Sequence, residues 1–174
     1  IALLMTLSSI SASYAGSSQW HDLGGGSARL IADIDPKTRK LYGAVEVRLE
    51  PGWSTYWRYP GSSGIPPNFD FSKSVNFIND KVGFPAPKLI ELEDTRYAGY
   101  KTRVAFPFEG QVGESFKGKI NLDLFIGVCS TICIPAQAQM SLDLRSLNQS
   151  DPVIKQTIQF AKKTVPVVKP ANDV

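Results

Sequence analysis

In the run 41–49, Leu41, Val45, Val47 and Leu49 share one parity, while Ala44, Glu46 and Arg48 share the other. A period of two places the two sets on opposite faces of a strand, one facing a core and one facing water. The residues 28–34, 53–58, 75–79, 88–93, 102–108, 118–126 and 137–144 also read as strands, with turn compositions such as Asp35-Pro36-Lys37-Thr38 between them. About eight or nine short strands without intervening helical patterns predict an all-β fold, an antiparallel sandwich. A helical pattern comes after them, over 151–163. There Ser150 or Asp151 can cap, Pro152 suits the first turn, and Ile154, Ile158, Phe160 and Ala161 form an apolar stripe. The expected organisation is a sandwich over 16–148, then a C-terminal helix and Pro-containing tail or linker over 149–174.

Composition narrows the functional classes. The 174 residues are 43% hydrophobic, enough for a core without metals or a disulfide framework. Two cysteines and one histidine, His21, cannot supply the ligands of a structural zinc site. His21 reads as a solvated imidazole, and no cofactor or metal is expected. The net charge of +3 is scattered along the chain rather than gathered into a basic stripe, which argues against nucleic acid as a partner. Gly24-Gly25-Gly26 lacks the strand-before, helix-after setting of a phosphate loop and reads as a flexible lead-in. Residues 1–15 carry no charge and pass from a Leu-rich stretch to small residues ending at Ala15. They read as a remnant of a secretory signal, truncated at its start, and the mature protein is expected in an oxidising compartment.

The chemistry concentrates in two stretches. The first is the apolar run Leu122–Val128 leading into Cys129-Ser-Thr-Ile-Cys133-Ile-Pro135. A three-residue connection lets the cysteines face each other across a hairpin end. A disulfide closing so short a loop contributes only about 2 kcal/mol by chain-entropy reasoning, against about 4 to 5 for a loop of a hundred residues. The pair therefore reads as a redox couple or as a local staple, with Cu(I) binding by two thiolates as a third use. The second stretch is Gly52-Trp53-Ser-Thr-Tyr56-Trp57-Arg58-Tyr59-Pro60-Gly-Ser-Ser-Gly64-Ile-Pro66-Pro67. At least one of Trp53 and Trp57 reads as core. The Gly/Pro loop after them is stiff enough to cover a reactive site.

These two stretches, with Phe84-Pro85-Ala86-Pro87 and Tyr97-Ala98-Gly99-Tyr100, resemble the periplasmic N-terminal domain of the thiol:disulfide interchange proteins of the DsbD/ScsB type, over about residues 25–145. The resemblance implies an immunoglobulin-like β-sandwich and a thiol-disulfide oxidoreductase of the protein-disulfide reductase kind. It implies a periplasmic location, and partners that are a membrane-embedded electron donor and thioredoxin-like periplasmic proteins, with no small-molecule substrate. It further implies that Cys133 makes the mixed disulfide and Cys129 resolves it. Trp57, Arg58, Tyr59, Pro60, Gly64, Pro66 and Pro67 would form a cap, with Tyr97 and Tyr100 lining the site. A turn with one core tyrosine explains 97–100 equally well, and a solvated charge explains Arg58. Asp123, Glu91, Glu93, Asp94, Arg96 and Tyr100 are the candidates for a group that activates a thiol. The spacing of the cysteines matches the copper-suppressor branch of the family. A non-catalytic interaction module with a structural disulfide, or a Cu(I)-handling protein, remains the alternative.

Overall fold

The computed structural model describes residues 16–35, 37–61, 64–92, 95–145 and 151–167. The expected signal remnant, Glu93, Asp94 and the end of the tail lie outside them. The strands are β1 (His21–Asp22), β2 (Gly26–Asp35), β3 (Lys40–Leu49), β4 (Ser54–Tyr56), β5 (Asn68–Asp70), β6 (Phe77–Val82), β7 (Lys88–Leu92), β8 (Thr95–Lys101), β9 (Arg103–Val112), β10 (Lys119–Cys129) and β11 (Cys133–Asp143). All pairings are antiparallel. One sheet runs β1-β2-β3-β9-β6 and the other β11-β10-β4-β8-β7, with β5 also pairing β10. This is the expected immunoglobulin-like sandwich.

Alternation builds the interior. Leu30 and Ala32 of β2, Val45 and Val47 of β3, Phe106 and Phe108 of β9, and the even positions Ile120 to Val128 of β10 meet in one cluster. Phe69 and Phe84 pack on Phe106, and Phe71 on Phe108, so aromatic rings fill the wide part of the space between the sheets. Trp53 and Trp57 both lean against this cluster, each partly buried.

The other parity of β3 departs from the expected wet face. Ala44 is fully buried and Glu46 is 4% exposed. The cause is the helix α1 (Pro152–Lys163), which lays Ile154, Ile158 and Ala161 on Ile31 and Ala44 across the outer side of the first sheet. Asp151 caps it, its carboxylate accepting from the Val153 N–H at 2.8 Å, and Lys162 donates to Glu109 of β9 at 2.9 Å. Glu46 is buried as an ion pair with Arg29, at 2.6 Å.

Three strands fall where the pattern did not predict them. β1 and β5 are too short to show a period. β8 was hidden by Gly99, which reads as a turn residue. It lies mid-strand because a Cβ there would stand 2.2 Å from the Thr55 carbonyl oxygen of β4. The glycines at the start also behave differently from a flexible lead-in. Gly25 is buried under Trp53, whose ring would be 2.2 Å from an added Cβ, and Gly26 opens β2.

Candidate functional site

Cys129 ends β10 and Cys133 begins β11. They stand directly opposite in register, with Cα atoms 4.0 Å apart, and are joined by a disulfide. Ser130 to Ile132 form the connection, closed by the Ser130 N–H donating to the Ile132 carbonyl at 2.9 Å. Odd positions of β10 point away from the main core, so the disulfide lies on the outer side of the second sheet. The two sulfur-bearing residues differ sharply. Cys129 is 0% exposed, packed with Tyr56, Ile90 and Tyr97, whereas Cys133 is exposed.

Tyr56 of β4 is the polar neighbour of the exposed cysteine. A disulfide sulfur has no hydrogen, so the Tyr56 hydroxyl donates to Cys133 Sγ, at 3.0 Å. The ring reaches across β10 over Gly127, where a Cβ would stand 3.0 Å from its Cδ2. Burial, and then the neighbouring Tyr97, push the Tyr56 hydroxyl above its ordinary pKa, so it remains a donor through the range in which thiols titrate. Below it, Ser54 Oγ donates to the Cys129 carbonyl at 3.2 Å, which leaves the Tyr97 hydroxyl to donate to Ser54, at 2.6 Å. Tyr56 and Tyr97 stack at 4.6 Å between centroids. Tyr56 thus holds the sulfur of one cysteine directly, and Tyr97 supports the backbone of the other through Ser54.

Gly64 of the Gly/Pro loop lies against Tyr56 Cε1 and Pro60, and Ile65 packs beside Gly127 in the cysteine cluster. Among the described residues its contact with the site runs through Tyr56 and Ile65, and Cys133 itself is exposed. Trp57 leans on the main core and donates its backbone N–H to the Ala98 carbonyl at 2.9 Å. Arg58 stacks 4.9 Å from the Trp57 and Tyr59 ring centroids, and Tyr59 and Pro66 are exposed while Pro67 is buried. Tyr97 packs in the cluster with Cys129. Tyr100 does not. Being three residues on along a strand, it faces the opposite side, joins the main core and donates to the Pro85 carbonyl at 2.8 Å; burial raises its pKa far above the usual value. Asp123 pairs with Lys73, and Glu91 with Arg96, so these charges are engaged away from the sulfurs. Among the described residues no group of three or more His, Cys, Asp and Glu is placed to hold a metal ion.

The sequence reading missed Tyr56, Ser54, Ile65, Ile90 and Gly127. An isolated glycine inside an apolar strand was the available signal, since it marks a close approach.

Residues 30–145 match the family model described as thiol:disulfide interchange protein DsbD, N-terminal. The chain belongs to the DsbD N-terminal family. It is also similar to a solved structure, the N-terminal periplasmic domain of ScsB from Proteus mirabilis, with 29% identity and a TM-score of 0.73. The match covers 89% of this chain and 61% of that one, so this chain spans less than two thirds of its relative. A comparison with curated proteins finds no match. Family membership fits thiol-disulfide interchange at a cysteine pair. Among the described residues no helix is long and apolar enough to cross a membrane.

Proposed function

We propose that this chain passes reducing equivalents in the periplasm, from a membrane-embedded or thioredoxin-like donor to oxidised partner proteins, through Cys129 and Cys133. A donor thiolate attacks Cys133 Sγ, the intramolecular disulfide breaks, and Cys129 leaves as a thiolate. A second donor thiol then releases Cys133, so two electrons and two protons enter the couple. In the outward half-reaction the Cys133 thiolate attacks a partner disulfide, and Cys129 attacks Cys133 Sγ to free the reduced partner. The observation that carries this order is the contrast between the exposed Cys133 and the fully buried Cys129. In-line attack needs an approachable sulfur, and only one of the two is approachable. The family and the neighbouring tyrosine donor support the same assignment. The sandwich over 16–148 carries this activity in the proposal, with the helix and tail as an appended segment.

Trapping tests it. A Cys129→Ser variant, incubated with periplasmic extract, should accumulate mixed disulfides on non-reducing gels, and Cys133→Ser should not. No adduct with either variant would overturn the reading. A purely structural bond predicts resistance to dithiothreitol instead.

A further inference from the structure

An open groove of about 880 Å³ lies between α1, the β8–β9 corner and the segment before β7. Lys88, Lys101, Arg103 and the 70% exposed ring of Phe160 line it. Among the described residues Glu46 is the one carboxylate lining it, and Arg29 neutralises it. None of the three cations makes an ion pair among the described residues. Arg103 also stands directly opposite Arg48 in register, and Arg48 stacks on Trp20 at 4.1 Å. Like charges facing across a strand pair are destabilising.

Register ties this groove to the disulfide. Cys133 faces Cys129, Cys129 faces Ser54, and Ser54 faces Lys101, in one row across β11, β10, β4 and β8. Three interstrand steps put Lys101 about 14 Å from Cys133, well inside the span of an ordinary protein interface. The hairpin tip between the cysteines carries no charge of its own.

We propose that this groove docks an acidic segment of the protein whose thiol exchanges with Cys133, with an apolar side chain of that segment against Phe160. The proposal rests on the interchange reading above. The cations would raise the encounter rate and orient the partner, while the bond exchange stays at the sulfur: the incoming thiolate bonds to Cys133 Sγ, Cys129 leaves as a thiolate, and no net oxidation occurs.

The test uses the oxidised protein and two synthetic peptides, each with one cysteine flanked on both sides, after a four-residue spacer, by charged blocks. One peptide carries Asp and Glu in the blocks, the other Lys and Arg. Mixed-disulfide formation is followed by mass spectrometry. The acidic peptide should react about tenfold faster than the basic one at low salt. The advantage should vanish at high salt and reverse in a Lys88→Glu/Lys101→Glu variant, whose exposed positions leave the fold intact. Lys101→Glu alone, with thermal unfolding as a check, should show part of the reversal. Reduction by dithiothreitol should be equal in all of them. Equal rates for both peptides, with normal reduction by dithiothreitol, would overturn the docking groove and leave the interchange reading standing. Failure of dithiothreitol itself to reduce the bond would instead overturn the interchange reading.

Discussion

Replacing Tyr56 by Phe removes one oxygen and keeps the ring that packs on Tyr97 at 4.6 Å. In the disulfide form the hydroxyl stands 3.0 Å from Cys133 Sγ, and on reduction the same sulfur would offer it a thiolate to bond. A hydrogen bond to a charged group contributes about 1.5 to 3 kcal/mol, and the exposure of Cys133 argues for the lower end. About 1.4 kcal/mol is a factor of ten in the thiolate fraction below the thiol's midpoint. The thiolate that does form in the variant is more basic and so about threefold more nucleophilic, given a Brønsted slope near 0.4 to 0.5. Alkylation of Cys133 by iodoacetamide should therefore be about threefold slower than in the parent on the acid side of the profile, and about threefold faster on the alkaline side. The two pH profiles cross. Mass spectrometry separates Cys133 from the buried Cys129, and urea unfolding checks that stability is nearly kept. Superimposable profiles would refute the idea that Tyr56 stabilises the thiolate, and a uniform slowing at every pH would show that the substitution merely disturbs access.

Gly127→Ala places a methyl 2.9 Å from Ile65 Cβ and 3.0 Å from Tyr56 Cδ2; it should cost about 1 to 3 kcal/mol in urea unfolding and shift the alkylation profile in the same direction as Tyr56→Phe. Changing both cysteines to Ala should lower stability by about 2 kcal/mol, whereas a loss near 5 would mark the bond as a main support of the fold. Ser54→Ala leaves the buried Tyr97 hydroxyl without its acceptor and should cost about 1 to 3 kcal/mol by the same assay. Glu109 has its pKa lowered first by the Lys162 hydrogen bond, so its stabilisation is complete above the unfolded carboxylate value and is lost as pH falls through the lower folded one. Glu109→Gln should therefore be less stable than the parent at pH 6 by under about 1 kcal/mol and equal to it near pH 2, measured by thermal unfolding.

The parity of Leu41, Val45, Val47 and Leu49 led directly to the sandwich, because a buried strand face writes itself into every second residue. The same argument failed for Ala44 and Glu46, since whether the second face meets water depends on where a distant helix docks. The cysteine pair and its hairpin were legible because both ends of the contact are near neighbours in sequence. Tyr56 was not, being joined to Cys133 across 77 positions and only through a strand order that local periodicity leaves open. Tyr97 and Tyr100 show the finer limit. Both sit in the motif that carries the family resemblance, yet with β8 unrecognised their opposite parity could not be read, and only Tyr97 reaches the cysteines.

The complete burial of Cys129 has a consequence for timing. In the proposed outward step, a partner held on Cys133 leaves Cys129 out of reach of a second partner disulfide, so the couple is protected from ending as a doubly blocked adduct. Release of the partner then depends on a sulfur already in place, at a rate fixed by the hairpin rather than by the concentration of thiols around it. The lifetime of each encounter is in this sense a property of the protein's own geometry, set by how tightly Tyr56, Tyr97 and Ile90 hold the inner sulfur against the outer one.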